Sequence, residues 1–165
     1  MSQLNNEILD ILQNDSRLSY ADIATMVGVS ESEVTAVIKM LEETGVIIKY
    51  TTVINDEVYE NGNSRVRALV ELDVCPQKTT GYDAIAKAIY QYPEVVGHYL
   101  VSGQYDFLVI VESSSHKNIS HFVSDKLATL ENVTGTNTHF IFKKYKENGV
   151  TIDESDSISR IQVMP

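Results

Sequence analysis

The sequence predicts an α+β protein with two domains, and three of its features support that prediction. Apolar residues recur at helical spacing from residue 4 to 45, whereas strand and helix patterns alternate from 66 to 145. The polar stretch 55–64 lies between these regions and contains an Asn-Gly pair, which favours a loop. We therefore predict an N-terminal domain at 1–60, a second domain at 64–147 and an acidic C-terminal tail at 148–165.

The first two helices are predicted from their apolar spacing and from a glycine. Leu4, Ile8 and Leu12 lie on one side of a helix at the N-terminus of the chain. A second helix begins near Tyr20 and ends at Gly28, because glycine readily adopts the left-handed conformation that follows a helix.

The third helix has a clear start and a clear end. Ser30 and Glu33 have the spacing of a capping box, and Gly45 follows the last apolar position. The β-branched and aromatic run at 46–54 then predicts one or two strands, which form a wing. The N-terminal domain is therefore predicted to be a winged helix-turn-helix.

The second domain is predicted to alternate strands and helices in the order β-α-β-β-α-β, which is typical of a ferredoxin-like fold. This order gives a four-stranded antiparallel sheet with both helices on one face. Apolar residues alternate on the other face, which predicts dimerisation through the sheet. The predicted elements are a strand at 66–74, a helix at 79–92, strands at 95–101 and 106–112, a helix at 115–130 and a strand at 136–145.

Charge is distributed unevenly along the chain. The net charge is −10, and the first 63 residues carry eleven acidic side chains against Arg17, Lys39 and Lys49. A nucleic-acid-binding domain usually presents a basic face. If the N-terminal domain binds nucleic acid, this charge predicts weak nonspecific affinity, which several copies acting together would strengthen.

The composition argues against an enzyme, a metal site and a membrane protein. Cys75 is the single cysteine, and no nucleotide-binding or nucleophile motif is present. The longest apolar run, 107–111, is far too short to cross a bilayer, and the N-terminus lacks a secretory pattern. We expect a cytoplasmic protein with no cofactor, no bound metal and no membrane partner. The four histidines have no metal-binding spacing, and they are His98, His116, His121 and His139.

Nine tyrosines also raise the possibility of a stacking platform for single-stranded nucleic acid. Such platforms combine aromatic residues on central strands with basic neighbours. The aromatic residues of the predicted strands lack a basic surround, so packing in a core or an interface is the better interpretation.

Three stretches, in their order and spacing, resemble the Lrp/AsnC family of amino-acid-responsive regulators over about residues 4–147. The first is Ile8-Leu9-x-x-Leu12 followed by 15–21 (DSRLSYA) and 28–30 (GVS). The second is 41–47 (LEETGVI), which leads into 49–51 (KYT). The third is 93–96 (PEVV) with Gly103-x-Tyr105-Asp106 ten residues on.

The resemblance implies that the third helix enters the major groove of double-stranded DNA. The chain departs from the family at Val37 and Met40, where basic residues are common, and at Asn5, where aspartate is usual. The alternatives are that the three helices are only structural or that they contact a protein partner. The residues implied for DNA binding are Arg17, Ser30, Ser32, Thr35, Ala36, Lys39, Met40, Lys49 and Tyr50.

The resemblance also implies that a free amino acid binds where dimers meet and that dimers assemble to an octamer or another higher oligomer. A glycine permits close backbone approach there, and a carboxylate can pair with an ammonium group. The alternative is that the Gly-x-Tyr-Asp pattern only fixes a turn between two strands. The residues implied for effector binding are Ser102, Gly103, Gln104, Tyr105, Asp106, Thr136 and Thr138.

Overall fold

A computed structural model describes residues 2–56, 58–59, 65–76 and 81–152. The chain divides into two compact units, Met1–Thr52 and Val53–Pro165. This division lies earlier in the chain than the polar stretch at 55–64. Within the described residues, no helix is long and apolar enough to cross a membrane.

The first unit contains three helices: α1 (Gln3–Asn14), α2 (Tyr20–Val27) and α3 (Glu31–Glu43). Ile8, Ile23 and Val34 come one from each helix and are fully buried together. The predicted signals at the helix ends are confirmed. Gly28 ends α2 with a φ of 73°, and Ser30 and Glu33 form the capping box of α3.

The predicted wing strands are wrong. Residues 46–54 have no regular secondary structure, and Ile48 is 90% exposed. The N–H groups of Val46 and Ile47 donate to the Leu41 carbonyl, so these residues close the end of α3. A strand needs a neighbour for its remaining N–H and C=O groups, and β-propensity alone does not supply one.

The second unit is the predicted ferredoxin-like arrangement. Its elements are β1 (Val66–Val74), α4 (Asp83–Tyr90), β2 (Val95–Leu100), β3 (Phe107–Ser113), α5 (His116–Phe122) and β4 (Val133–Ile141). The strand order is β2-β3-β1-β4, and all pairs are antiparallel. The two central strands, β1 and β3, are therefore adjacent although α4 and β2 separate them in the chain.

One face of the sheet forms the core of the second unit. Alternate residues of β1 and β3, such as Val70 and Val109, are fully buried against Ile85 and Ile89 of α4 and Ile119 of α5. No helix of the described residues covers the opposite face. That open face carries cross-strand neighbours such as Leu69 with Ile110, Leu108 with Tyr99, and Arg67 with Ile141.

Both predicted helices of this unit are shorter than expected. Residues 79 and 80, where the first was predicted to begin, lie outside the described residues, and α4 covers Asp83–Tyr90. The second was predicted at 115–130, but α5 becomes a π-helical turn at Val123–Leu127 and the helical structure stops there. The wider turn keeps Val123 and Leu127 buried against the sheet.

The last strand and the tail also differ from the prediction. The strand β4 ends at Ile141 rather than at 145, and the next residue, Phe142, is 93% exposed. Two short strands follow, β5 (Lys146–Glu147) and β6 (Val150–Thr151), and Ile152 is buried. The first residues of the predicted tail are therefore folded, and 153–165 lie outside the described residues.

Ionic contacts hold the β5–β6 hairpin to the sheet. Arg67 donates to Glu147 at 3.0 Å and to Glu112 at 2.9 Å, and Arg65 donates to Glu112 at 2.8 Å. Burial raises the pKa of Glu112, but the hydrogen bonds from both arginines outweigh this effect and hold the pKa below its usual value. The carboxylate therefore stays ionised and bridges two arginines.

Candidate functional site

The exposed face of α3 is the candidate DNA-reading surface. The helix buries Val34, Ile38 and Leu41, which leaves the opposite side free of core contacts. The helix brings together six of the residues that were predicted to bind DNA, and all six are exposed. They are Ser30, Ser32, Thr35, Ala36, Lys39 and Met40.

Several of these groups already have partners within the helix. The Ser30 hydroxyl caps α3 and contacts the Ser32 hydroxyl at 3.0 Å, and the Thr35 hydroxyl donates to the Glu31 carbonyl. Hydrogen bonds from the Ser30 side chain and backbone lower the pKa of Glu33. The start of α3 is therefore fixed by local hydrogen bonds.

The electrostatics of α3 oppose binding to a polyanion. The helix carries one lysine and four carboxylates, and Lys39 lies 3.8 Å from Glu43 one turn later. Both side chains of this pair are more than 60% exposed, so the pair contributes little to stability. Even so, Glu43 places a negative charge beside the lysine that would meet a phosphate.

The other three predicted DNA-binding residues lie outside α3. Arg17 is exposed between α1 and α2, and Lys49 and Tyr50 follow α3 in the irregular segment. The Tyr50 hydroxyl donates to a Glu42 carboxylate oxygen at 3.0 Å. Burial and then this hydrogen bond raise the pKa of Tyr50 to about 12, so the hydroxyl keeps its proton at neutral pH.

The loop between β2 and β3 is the candidate effector site, and Asp106 fixes it to the sheet. One carboxylate oxygen accepts from the Val74 N–H at 2.8 Å, and the other accepts from the Tyr82 hydroxyl at 2.8 Å. The Asp106 N–H donates to the Leu72 carbonyl. Through Asp106 the loop is tied to the end of β1 and to the start of α4.

The tip of this loop is exposed to solvent. Ser102, Gly103 and Gln104 are exposed, whereas Tyr105 is partly buried. Gly103 has a φ of 152°, which L side chains rarely adopt, and the space where a Cβ would lie is empty. A glycine is therefore required by the backbone conformation, and it leaves room for close approach.

The two predicted threonines lie at different distances from the loop. Thr136 of β4 pairs with Leu72, so it lies at the same end of the sheet as Asp106. Thr138 pairs with Val70, two residues nearer the middle of the sheet. The structure therefore brings Thr136 to the loop end of the sheet and leaves Thr138 farther in.

Sequence reasoning missed Tyr82. Its hydroxyl reaches Asp106 across 24 residues of sequence, and this hydrogen bond, followed by burial, raises the pKa of Tyr82. The tyrosine immediately precedes α4, where a capping side chain is expected, but it makes no cap hydrogen bond. The sequence carried no signal for this role, because the predicted helix began at residue 79 and the hydrogen-bond partner lies 24 residues further along the chain.

Other titratable clusters offer weaker sites. On the open face, Asn137 donates to Glu71 at 3.0 Å, and His139 lies 3.3 Å from the same carboxylate. Cys75 is exposed at the end of β1. No group of three or more His, Cys, Asp or Glu side chains in the described part of the chain is arranged to hold a metal ion.

Known families match both units. Residues 67–151 match the family model described as the Lrp/AsnC ligand binding domain, and residues 1–48 match a winged helix-turn-helix DNA-binding domain. The HTH-type transcriptional regulator YugG of Bacillus subtilis is 40% identical over 165 residues, which cover 100% of this chain and 99% of that protein. The regulator FL11 of Pyrococcus furiosus is 31% identical over 89% of this chain and 93% of its own length.

A solved structure of a transcriptional regulator is also similar to this chain. A transcriptional regulator of Neisseria meningitidis, in complex with L-Met, has a TM-score of 0.70 and 25% identity over 89% of this chain and 93% of that chain. The helix-turn-helix unit and the ligand-binding unit define a DNA-binding transcription regulator and not an enzyme. The chain belongs to the Lrp/AsnC family.

Proposed function

We propose that this regulator reads double-stranded DNA through α3 and that its assembly responds to a free amino acid bound at the 101–106 loop. The observation that carries the proposal is the loop itself, whose exposed tip is held in place by the hydrogen bonds of Asp106. The match to a ligand-binding domain supports a small effector. The L-Met complex of the Neisseria meningitidis regulator supports an amino acid.

In the proposed DNA complex, α3 supplies base contacts and the flanking segments supply phosphate contacts. The methyl groups of Thr35, Ala36 and Met40 suit the thymine methyl group, and hydroxyls suit base edges. Lys39 suits a phosphate oxygen or guanine. The remaining proposed contacts are Arg17, Ser30, Ser32, Lys49 and Tyr50.

In the proposed effector site, the loop binds the charged groups of the amino acid. The backbone N–H groups near Gly103 suit a carboxylate, because the glycine leaves them open to close approach. Asp106 has acceptor positions left beyond its two hydrogen bonds, and these suit an ammonium group. Ser102, Gln104, Tyr105, Thr136 and Thr138 complete the proposed site.

The open face of the sheet is the proposed dimer surface. Leu69, Leu108 and Ile110 lie there on the central strands and are only partly buried in a single chain. Dimers then assemble further, to an octamer or another higher oligomer. An effector that prefers one assembly changes the spacing of the α3 helices along the DNA, and DNA binding in turn changes effector affinity.

The first test is gel retardation of DNA from upstream of the gene for this protein, at low and moderate salt. We expect specific retardation that persists at moderate salt, because several copies bind one DNA molecule together.

Lys39→Glu should abolish the retardation. Glu43→Gln should increase affinity several-fold, because it removes the negative charge beside Lys39. Glu7→Gln makes the same charge change on α1 and should have a smaller effect.

A second candidate function follows from the charge on α3. Four carboxylates on one short helix suit a basic protein partner better than DNA. In that case the chain is an amino-acid-sensing oligomer whose helix-turn-helix unit has lost DNA affinity and contacts a protein. This function predicts that DNA is not retarded at low salt, with or without a pool of amino acids. It also predicts that Lys39→Glu leaves this result unchanged.

A further inference from the structure

A groove lies between α4 and β2 in the second unit, beside the proposed effector loop. Its volume is about 390 Å³, which falls within the roughly 300–1,000 Å³ that is typical of small-molecule sites. Its lining comes from Tyr82, from α4 and β2, and from the first residue of β3. The residues that matter here are Tyr82, Asp83, Ala86, His98, Leu100 and Phe107.

The groove and the loop share their boundary residues. Leu100 ends β2 and Phe107 begins β3, so both groove residues flank the 101–106 loop. Tyr82 lines the groove, and its hydroxyl donates to Asp106 of the loop. An amino acid whose ammonium and carboxylate groups contact the loop therefore has this groove within reach of its side chain.

Three aromatic rings that line the groove contact one another. The Tyr82 ring meets the Phe107 ring edge to face with centroids 5.6 Å apart, and the His98 ring meets the same phenylalanine at 4.7 Å. Ala86 of α4 and Leu100 of β2 both line the groove, and Leu100 is 59% exposed. An apolar side chain placed here would bury this exposed surface together with its own.

The described residues that line the groove include neither lysine nor arginine. Asp83 adds an exposed carboxylate to this lining. Burial lowers the pKa of His98, and its Nε2 atom is buried without a hydrogen-bond partner among the described residues. The imidazole is therefore mainly neutral at pH 7. A carboxylate in the groove would lose its hydration without gaining an ion pair from the described lining residues.

We propose that this groove is the side-chain subsite of the effector and that it selects apolar or aromatic amino acids over acidic ones. The proposal rests on the proposed effector site at the 101–106 loop. It adds a selection rule that the loop alone does not provide, because the loop contacts only the groups that all amino acids share.

The test measures amino-acid binding to the full-length protein by isothermal titration calorimetry. The probes are L-methionine, L-leucine, L-phenylalanine, L-alanine and L-glutamate. Ala86→Leu fills the groove, and Ala84→Leu makes the same change on the exposed side of α4 and is the matched control. Leu100→Ala removes an exposed apolar wall without touching the core.

We expect at least one of the three large apolar amino acids to bind, with L-glutamate at least about tenfold weaker. Ala86→Leu should weaken binding of the large apolar ligand about tenfold or more, with a much smaller effect on L-alanine. Leu100→Ala should weaken the same ligand several-fold, and Ala84→Leu should leave it unchanged.

The possible failures are distinguishable. If an amino acid binds but Ala86→Leu, Leu100→Ala and Ala84→Leu all leave its affinity unchanged, the groove is not the subsite, whereas the effector function stands. Binding of L-glutamate as tight as that of L-methionine also overturns the proposal. If no amino acid binds the wild-type protein, both the subsite and the effector function are wrong.

A second measurement does not depend on variants. The chain has four histidines, so their side-chain resonances can be resolved by NMR. A saturating apolar amino acid should shift the His98 resonances, whereas those of His121, exposed on α5, should not move. Unchanged His98 resonances at saturation would place the ligand outside the groove.

Discussion

Asp106 combines a structural role with the role proposed for it in ligand binding. Its two carboxylate oxygens accept hydrogen bonds from β1 and from Tyr82, so the side chain fixes the loop before any ligand arrives. A carboxylate offers about four acceptor positions, which leaves capacity for an ammonium group. The two interpretations of the Gly-x-Tyr-Asp pattern, a turn and a binding site, are therefore compatible in one residue.

The Tyr82–Asp106 hydrogen bond should stabilise the loop. Tyr82→Phe removes the donor and keeps the ring against Phe107, so we expect a lower urea midpoint and faster amide exchange at residues 101–106. Tyr90→Phe removes a hydroxyl from an exposed side chain of α4 and is the control. Urea unfolding followed by circular dichroism, with hydrogen exchange, measures both effects. Equal exchange rates in the two variants would show that Tyr82 does not hold the loop.

His98 should make the stability of the protein depend on pH near neutrality. Burial lowers its pKa in the folded protein below the usual value of about 6.5, so the unfolded chain binds more protons between the two values. The free energy of unfolding should therefore fall as pH drops through 6.5 and level off below the folded pKa. Because the ring is partly solvated, the slope should stay below the one-proton limit of about 1.4 kcal/mol per pH unit.

The comparison that isolates this effect is His98→Gln, which should flatten the dependence between pH 7 and 5. Val96→Gln places the same side chain on an exposed residue of β2, keeps all four histidines and should retain the wild-type slope. Urea unfolding at several pH values provides the measurement. An unchanged slope in His98→Gln would assign the pH dependence to other groups.

Among the helices and strands, the sequence best predicted the features that depend only on neighbouring residues. The capping box of α3 and the glycine that ends α2 depend on residues within one turn, and both are confirmed. The strands predicted at 46–54 are absent, because a strand depends on a partner that the run itself does not provide. The groove could not be predicted from the sequence for the same reason. Its lining residues come from different elements and have no common motif.

Two further elements could not be predicted from periodicity. The π-helical turn at Val123–Leu127 changes the helical spacing by one residue, so apolar positions alone give a single longer helix at 115–130. The β5–β6 hairpin contacts the sheet through a hydrogen bond between Arg67 and Glu147, which are 80 residues apart in the sequence. Two opposite charges so far apart in the sequence form no local pattern, so their pairing cannot be predicted from the sequence.

The capping box gives a prediction at the level of one helix. Ser30→Ala removes the side-chain acceptor for the Glu33 N–H, which should lower the free energy of unfolding of the first unit by about 1 kcal/mol. Ser16→Ala changes an exposed serine outside the helices and should have almost no effect. Thermal unfolding monitored at 222 nm would measure the difference. A loss no larger than that of Ser16→Ala would mean that α3 is held by its buried face alone.

For the whole molecule, the proposed assembly offsets the unfavourable charge of α3 towards DNA. A single α3 offers one lysine among four carboxylates, so one copy should hold DNA weakly and with a shallow salt dependence. Linked copies raise the effective concentration of each helix-turn-helix unit near the DNA. DNA affinity should therefore depend on the oligomeric state as well as on the contacts of α3.

Disrupting the open face of the sheet tests that dependence. Ile110 lies on a central strand of that face, opposite Leu69 and beside Gly97, and Ile110→Lys places a charge where two copies would pack. We expect light scattering to report a fall from an oligomer to the 18.4 kDa chain and gel retardation to disappear, although α3 is unchanged. Ala84→Lys adds the same charge on the helix-covered side and should leave both properties intact. A monomer that still retards DNA at moderate salt would show that α3 binds without assembly, whereas an unchanged oligomer would place the interface between copies on another surface.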